Sequence, residues 1–270
     1  MRQVFIDGKD RAWVVIKKKI LSKRQLFLFL DFDGTLSPIV GHPSKARLSL
    51  RLYKQLLGLQ KMSRVRLGFI SGRLLKEVKN LIRIPGAFYA GNHGFELCGP
   101  SWRWSHPAHK MMKGFIRESK KVLRPIISKY PGSFLEDKRA TLSIHYRKIQ
   151  AHKTALFCRE IKARLKTIKS FFKIRVIKGK KVIELMPRVL WHKGKALEKI
   201  IYQSRTKPGQ TCYIYIGDDT TDEDAFCVIN RKGGISIHVH DETRKTKARY
   251  TIRHQSEVKR LLNRITQAIT

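Results

Sequence analysis

The stretch QLFLFLDFDGT, residues Gln25 to Thr35, sets a continuous apolar run directly before two aspartates and a glycine. A short apolar run that ends in Asp and Gly is typical of a strand in a parallel sheet covered on both faces. Asp31 and Asp33 then follow the carboxyl end of this strand, where open α/β sheets bind their ligands. Two carboxylates so close repel each other and lose solvation when buried, which a bound cation and a reacting phosphate would offset.

Strand-like and helix-like patterns alternate on both sides of this stretch. Further buried strands are predicted in VRLGFISGR, AFYAGNHGFEL and TCYIYIG, and helices in LLKEVKNLI and HKGKALEKIIYQS. The alternation predicts an α/β fold, a Rossmann-like core with a mostly parallel sheet whose loops gather at one edge. Residues 1–24 are predicted to be a peripheral amphipathic segment of this core, with Trp13, Val14, Ile16 and Ile20 on its apolar side.

The middle of the chain has a different pattern. Between 107 and 187 the order helix, strand, strand occurs twice, and strands such as KIRVIK alternate apolar and polar residues. Alternation of this kind suits a sheet with one face exposed to water. The sequence therefore predicts an inserted α+β domain at 107–187 and a catalytic core formed by 1–106 and 188–270.

Composition limits the possible classes of protein. The chain has 270 residues, 42% of them hydrophobic, and lacks the long apolar run of a membrane span. Its four cysteines form no C-x-x-C pair, so we expect buried thiols and a cytoplasmic protein: Cys98, Cys158, Cys212 and Cys227. The net charge of +38 would attract nucleic acid, anionic lipid and phosphorylated metabolites. Because the basic residues are spread along the chain, no specific nucleic-acid partner is expected.

Four short motifs at predicted strand or helix ends suggest phosphate chemistry. After Asp31, Gly34 lets the backbone turn so that one carboxylate can attack phosphorus while the other gives and takes a proton. Ser71 and Gly72 are typical of a site for phosphate oxygens, although a helix-capping serine explains them equally well. Lys193 precedes a glycine at a helix start, where its ammonium could neutralise an aspartate and bind the phosphoryl group.

The fourth motif is IGDDTTDEDAF, with five acids within seven residues of a chain that has few acids: Asp218, Asp219, Asp222, Glu223 and Asp224. Carboxylate oxygens are the ligands that Mg²⁺ prefers. Asp218 and Asp219, at the strand end, are the stronger ligand candidates, because acids from Asp222 onward also fit the first turn of a helix.

In this order, DFDGT, SGR, KG and GDD resemble the four motifs of the haloacid dehalogenase (HAD) superfamily, and the insertion resembles its α+β cap. Within that superfamily, AGNHGFEL, EDKRATLSIHYR, GKKVIELMP and YIGDDTTDEDAF resemble the trehalose-6-phosphate phosphatase family. The resemblance runs from about Leu26 to beyond Phe226. It implies Mg²⁺-dependent hydrolysis of trehalose 6-phosphate through an aspartyl-phosphate. A trehalose-phosphate synthase, fused to the chain or in complex with it, is a candidate partner.

The resemblance also implies roles for individual residues. Asp31 would be the nucleophile, Asp33 the general acid and base, and Ser71, Gly72 and Lys193 would hold the phosphate. Mg²⁺ would be bound by Asp31, the backbone carbonyl of Asp33 and Asp218, with support from Asp219 and Asp222. The sugar would be recognised by a set of polar residues in and next to the cap: Asn92, His93, His145, Arg147, Lys180 and Glu184.

Two alternatives remain open on the sequence alone. The same chemistry could act on another sugar phosphate, such as sucrose phosphate or mannosyl-phosphoglycerate. A different class would be a basic protein that binds nucleic acid or membrane and has retained the HAD fold without its catalysis.

Overall fold

The computed structural model describes residues 4–6, 11–179, 181–240 and 245–270. The chain divides into two compact units: Met1–Trp104 with Trp191–Thr270, and Ser105–Leu190. The insertion predicted at 107–187 and the second unit therefore differ by only a few residues at each end.

From the N-terminus to the insertion, strands and helices alternate in the described chain. They are β1 (Val4–Phe5), α1 (Arg11–Leu21), β2 (Gln25–Leu30), α2 (Leu50–Lys61), β3 (Val65–Ile70), α3 (Leu75–Ile82), β4 (Phe88–Gly91), β5 (Glu96–Cys98) and β6 (Arg103–Ser105). In α1, Ile16 and Ile20 are buried as predicted, but Val14 is 64% exposed, so the apolar side of this helix is narrower than its sequence indicates.

The insertion forms helix, strand, strand twice, as the pattern predicts. Its elements are α4 (His109–Lys129), β7 (Phe134–Asp137), β8 (Leu142–His145), α5 (Thr154–Lys166), β9 (Ile174–Gly179) and β10 (Val182–Pro187). The strands pair antiparallel in the order β7-β8-β10-β9. Apolar side chains of both helices and of this sheet form a separate core, which includes Phe115, Phe157, Ile144 and Leu185.

The last part of the chain returns to the alternating pattern. It forms α6 (Lys193–Gln203), β11 (Thr211–Gly217), α7 (Glu223–Arg231), β12 (Ile235–Val239), β13 (Tyr250–Ile252) and α8 (Gln255–Ile269). Together with the first segment these strands make one sheet in the order β1-β13-β12-β11-β2-β3-β4-β5-β6. Pairing is parallel from β1 through β4 and antiparallel between β4 and β5, which confirms the mostly parallel α/β core.

Strand β2 lies inside this sheet, and its sequence shows why. Leu26, Leu28 and Leu30 pack into one apolar cluster, whereas Phe27 and Phe29 pack into another. Because successive strand residues point to opposite faces, a strand buried on both faces is apolar at every position. The continuous run before Asp31 therefore reflects helices packed on both sides of the sheet.

Among the described residues, no helix combines the length and the apolar composition needed to cross a lipid bilayer.

Candidate active site

The carboxyl ends of β2 and β11 bring two aspartates together. The strands are parallel neighbours, with Leu30 opposite Ile216, so Asp31 and Asp218 follow directly at adjacent positions of the sheet edge. Both residues are buried. The Thr35 hydroxyl donates to Asp218 Oδ1 over 3.4 Å, which ties the turn after β2 to the end of β11. Parallel pairing in register thus creates the acidic site from segments far apart in the sequence.

A third carboxylate, Asp222, completes a buried cluster with these two. One oxygen from each of Asp31, Asp218 and Asp222 lies within 4.8 Å of the others. Lys193, the first residue of α6, is 3% exposed and donates from Nζ to Asp31 Oδ1 and to Asp222 Oδ1, both over 2.7 Å. The predicted nucleophile and the predicted phosphate-binding lysine are therefore in direct contact.

Asp222 is held by hydrogen bonds on both of its oxygens. The hydroxyl of Tyr215 donates to Oδ1 over 2.5 Å, in addition to Lys193. The backbone N–H groups of Asp218 and Asp219 donate to Oδ2 over 3.1 and 2.9 Å. Since a carboxylate has about four lone-pair positions, these four donors occupy Asp222 and fix it against Lys193 and the end of β11.

The electrostatics of the cluster favour a cation. Burial, together with Asp222 and Asp218, raises the pKa of the Asp31 carboxyl well above its ordinary value, although Lys193 opposes this shift. Burial would lower the pKa of Lys193, but Asp222 and Asp31 outweigh it, so the pKa of this lysine is raised and it stays charged. Three buried carboxylates against one ammonium leave negative charge that a divalent ion would neutralise, and hard oxygen donors suit Mg²⁺. The residues present therefore fit a magnesium ion.

Asp33 lies apart from this cluster and is paired with Arg73. The guanidinium donates from Nε to Oδ2 and from Nη2 to Oδ1, each over 2.7 Å, in a two-pronged ion pair. Arg73 also lies over the ring of Phe32, 5.4 Å from its centroid. The Asp33 side chain is 39% exposed, in contrast to buried Asp31. The two aspartates thus have different environments, which would suit the different roles predicted for them.

Gly34 makes the turn between these residues possible. Its φ of +90° lies in the left-handed region, and a Cβ there would meet Asp218 Oδ2 at 2.1 Å. Only glycine allows both this backbone conformation and the close approach of the carboxylate. The glycine in the DFDG motif therefore shapes the acidic cluster directly.

The predicted phosphate-binding serine, Ser71, is buried at the end of β3. Its hydroxyl accepts from the backbone N–H of Arg73 over 3.2 Å. The residue before α3 is Leu74, which makes no side-chain cap, so Ser71 is not the N-cap of this helix. A Cβ on Gly72 would meet the His93 ring at 2.7 Å, which shows how closely two loops pack there.

Asn92 and His93 lie in the loop after β4, against the loop that contains Ser71. The N–H of Asn92 donates to the Arg73 carbonyl over 2.5 Å, and that of His93 to the Ser71 carbonyl over 3.0 Å. Both residues have positive φ, 53° and 55°, a strained conformation that is common at functional sites. These hydrogen bonds therefore stabilise the conformation of both loops within the first unit.

The remaining acids of the acidic loop have other roles. Asp219 and Asp222 form a reciprocal cap at the turn Thr220–Asp222, with Asp219 as its N-cap. Glu223 accepts from Thr246 and from the backbone of Lys247, and Asp224 lies 3.7 Å from His192. Asp222, which the sequence ranks below Asp219 as a candidate ligand, is thus the one that contacts Lys193.

In the second unit, polar residues of the sheet surround Glu184. This carboxylate is 5% exposed and accepts from the hydroxyls of Thr141 and Ser143, each over 2.5 Å. Lys138 Nζ lies 3.6 Å from Glu184 and 3.7 Å from Glu136. A buried, hydrogen-bonded carboxylate beside an ammonium is suited to recognise hydroxyl groups of a ligand.

The other predicted sugar-binding residues of this unit are His145, Arg147 and Lys180. His145 contacts Glu136 through Nε2 at 2.7 Å and stacks on the Phe134 ring, whose centroid is 4.4 Å away. Arg147 is exposed. Lys180 lies outside the described residues.

The geometry brings to these clusters several residues that sequence patterns alone do not single out. Arg73 directly follows Ser71-Gly72, so the motif itself could have indicated it. Glu136 and Lys138 stand in the quoted stretch EDKRATLSIHYR, where their alternate spacing on a strand is the available signal. The sequence does not indicate that Tyr215 belongs to the site, because a tyrosine in an apolar strand is typical of a core residue.

Comparisons with known proteins agree on one family. The trehalose-phosphatase family model matches residues 29–256. A protein of Arabidopsis thaliana named "Probable trehalose-phosphate phosphatase D" is 33% identical over 257 residues, which cover 90% of this chain and 68% of that protein. The rice protein named "Probable trehalose-phosphate phosphatase 3" is 32% identical over 276 residues, covering 95% of this chain and 73% of that protein.

Two solved structures of trehalose-6-phosphate phosphatases have a fold similar to that of this chain. The C-terminal domain of trehalose-6-phosphate phosphatase from Candida albicans superposes with a TM-score of 0.84 at 20% identity, covering 98% of each chain. Trehalose-6-phosphate phosphatase of Aspergillus fumigatus superposes with a TM-score of 0.64 at 25% identity, covering 99% of this chain and 98% of that chain.

Proposed function

The chain belongs to the trehalose-phosphatase family, and from this premise we propose that it hydrolyses trehalose 6-phosphate to trehalose and inorganic phosphate. It is thus a phosphatase of the HAD superfamily that acts on a phosphate monoester. The observation that carries the assignment of roles is the buried contact between Asp31, Lys193 and Asp222. A carboxylate held this way beside a charged lysine is a nucleophile prepared for an anionic substrate.

In the first step, an oxygen of Asp31 forms a bond to phosphorus, and the bond from phosphorus to the sugar oxygen breaks. Asp33 gives its proton to the departing sugar oxygen, so trehalose leaves as the neutral alcohol. Arg73 holds the ionised form of Asp33 through its two hydrogen bonds, the form that acts as the base in the second step. Lys193 donates to the phosphoryl oxygens and stabilises the charge of the transition state.

In the second step, water attacks the aspartyl-phosphate. Asp33, now ionised, takes a proton from this water, and the bond between phosphorus and the Asp31 oxygen breaks. Inorganic phosphate is released, Asp31 is again a carboxylate and Asp33 is again protonated. Protons and charge therefore balance over the cycle.

We propose that Asp31, Asp218 and the backbone carbonyl of Asp33 hold Mg²⁺, with Asp219 and Asp222 supporting the site. Asp222 is already occupied by four donors, which argues for a positioning role. When bound, the ion supplies positive charge that offsets the repulsion between the substrate phosphate and the carboxylates.

Ser71 and the backbone at Gly72 are proposed to bind phosphate oxygens. The sugar is proposed to be recognised by Glu184, His145, Arg147, Lys180, Asn92 and His93, to which the geometry adds Glu136 and Lys138. The short contacts of Glu184 to Thr141 and Ser143 support this, because they hold the carboxylate in a fixed position. A site built to hydrogen-bond a ligand hydroxyl binds a ligand without that hydroxyl much more weakly.

We further propose that the enzyme acts in the cytoplasm with a trehalose-phosphate synthase as the source of its substrate. The four cysteines, all free among the described residues, suit a reducing compartment. Detection of the synthase after affinity purification from intact cells, at a level above that of an unrelated basic protein, would test the partnership.

The test of the proposed function is phosphate release from a panel of sugar phosphates in the presence of Mg²⁺, with an Asp31→Asn variant. We expect turnover of trehalose 6-phosphate well above that of sucrose phosphate and mannosyl-phosphoglycerate. Asp31→Asn should lower kcat at least about 10³-fold, because the amide cannot form the aspartyl-phosphate. Glu118→Gln, which changes an exposed acid of α4, serves as the control.

Comparable turnover of several sugar phosphates would keep the phosphatase and overturn the choice of substrate. Substantial activity of the Asp31→Asn variant would overturn the covalent mechanism. A folded protein without activity on any sugar phosphate would favour the binding-protein alternative.

A further inference from the structure

A strongly basic groove lies in the unit Ser105–Leu190. It is a cavity of about 830 Å³, and α4 and the turn after β7 line it. One helix supplies six cationic side chains to the lining: Lys110, Lys113, Arg117, Lys120, Lys121 and Arg124. Their spacing puts them along one side of α4, and all except the half-buried Lys120 are exposed.

The turn after β7 adds a seventh cation, Arg139, and the last residue of β7, Asp137, is the only acid of the lining. Asp137 is already engaged, because Lys120 Nζ lies 2.5 Å from Oδ2 and the backbone N–H of Arg139 donates to Oδ1 over 2.8 Å. The six other cations make no ion pair with any described residue. The groove therefore concentrates positive charge that its own acid does not neutralise.

This concentration has a cost in the free protein. Like charges three or four residues apart on a helix repel each other and destabilise it. An anion bound in the groove would relieve the repulsion along α4 and gain charge-assisted hydrogen bonds from lysine and arginine. The groove is thus better suited to a charged ligand than to water alone.

The shape and lining of the groove indicate the class of this ligand. Its volume lies in the range of small-molecule sites, about 300–1,000 Å³. Apart from His109, the lining has no ring on which nucleic-acid bases could stack. Lysine and arginine are the residues that bind phosphate groups. A sugar phosphate carries one phosphate group, which could contact only some of the six cations that lack an ion pair.

We propose that this groove binds a compact ligand that carries several phosphate groups. Chains of linked phosphates and multiply phosphorylated metabolites share this chemistry. The proposal does not depend on the reaction assigned to the first unit.

Calorimetric titration with inorganic tripolyphosphate at about 0.15 M ionic strength tests the proposal, since weak surface attraction is screened there. We expect saturable binding at one site, and much weaker binding of orthophosphate. The triple variant Arg117→Gln, Lys121→Gln, Arg124→Gln should raise Kd about tenfold or more. Titration with adenosine triphosphate, which carries linked phosphates, and with inositol hexakisphosphate, which carries separate phosphate groups, shows which of the two ligand classes binds more tightly.

The matched control is Lys162→Gln, Arg164→Gln, Lys166→Gln. It removes three exposed cations from α5 of the same unit, outside the groove, and should leave Kd within about twofold. Both triple variants should keep the phosphate-release activity of the parent, which shows that they fold, and the groove variant should melt no lower than the parent because it relieves repulsion along α4. Failure of this activity in the parent protein would contradict the proposed function and leave the binding result intact.

Three results would overturn the proposal. The first is no binding of tripolyphosphate at millimolar concentration. The second is equal weakening of binding by the two triple variants, which would reduce the effect to net charge. The third is a single-stranded oligonucleotide that binds more tightly than tripolyphosphate with the same dependence on α4, which would make this face a polymer-binding surface.

Discussion

At the scale of single residues, the site depends on how charges are paired within a buried space. Lys193 lies at the first position of α6, where the helix dipole disfavours a cation. Its contacts with Asp31 and Asp222 outweigh both this effect and burial, and the pKa of the lysine is raised. Asp33 is in contrast partly exposed and held by Arg73. The proposed nucleophile, Asp31, and the proposed acid, Asp33, therefore have different cationic partners.

The pairing of Arg73 with Asp33 leads to a prediction. Arg73→Lys keeps the charge but replaces the planar fork by a single ammonium, which cannot hold both carboxylate oxygens. We expect kcat for trehalose 6-phosphate to fall about tenfold while KM changes less than threefold, because orientation of the acid affects the transition state more than binding. Steady-state kinetics of the variant would measure both constants.

The control for this change is Arg51→Lys, an exposed arginine of α2, which should have kinetics like those of the parent. A rise in KM with unchanged kcat in Arg73→Lys would assign the arginine to substrate binding. Unchanged kinetics would remove it from the catalytic site altogether.

At the scale of secondary structure elements, a glycine has opposite effects on the fold in a turn and in a helix. Gly34, after β2, has a positive φ and leaves no room for a Cβ beside Asp218. Gly58 lies in the exposed interior of α2, where a Cβ would meet nothing within 4 Å. The first glycine shapes the site, whereas the second only increases the entropy lost when the helix forms.

This contrast predicts opposite effects of the same substitution. Gly58→Ala should raise the free energy of unfolding by about 0.5–1 kcal/mol, the difference in helix propensity between the two residues. Gly34→Ala should lower it by about 1–3 kcal/mol, the cost of a strained backbone, and should also reduce phosphate release by displacing Asp218. Urea unfolding of the two variants and the parent measures both changes. Equal changes of the same sign in the two variants would contradict this interpretation.

At the scale of the whole chain, folding assembles the proposed magnesium site. Asp31 and Asp218 are far apart in the sequence and become neighbours only when β2 and β11 pair. A ligand that binds the folded chain but not the unfolded chain stabilises the fold in proportion to the logarithm of its concentration. Metal binding and global stability are therefore linked.

This link predicts that Mg²⁺ raises the melting temperature and that a chelator reverses the effect. At a concentration one hundred times its Kd, Mg²⁺ should add about 2.7 kcal/mol to the free energy of unfolding. Thermal unfolding followed by circular dichroism, with and without Mg²⁺, measures the shift. The shift should be lost in Asp218→Asn and kept in Glu118→Gln. An equal shift in both variants would mean that the ion binds elsewhere.

Much of the architecture could be predicted from the sequence. The apolar run before Asp31, the alternation of strands and helices, and the repeated pattern of the insertion all depend on periodicity, which short segments carry by themselves. Val14 is an exception, because the width of a helix's buried side depends on what packs against it. The choice between Asp219 and Asp222 was also beyond sequence reasoning, since the conformation of the loop decides which carboxylate turns inward.

The sequence by itself determined the fold class, the repeated helix-strand-strand order of the insertion, and the residue types gathered at the end of β2. It did so because apolar periodicity and glycine placement are local properties of the chain. Only the tertiary structure decided the partners: Arg73 for Asp33, Lys193 for Asp31 and Asp222, and Lys138 for Glu184. These pairings depend on strand register and loop conformation, through which distant segments come within hydrogen-bond distance of each other.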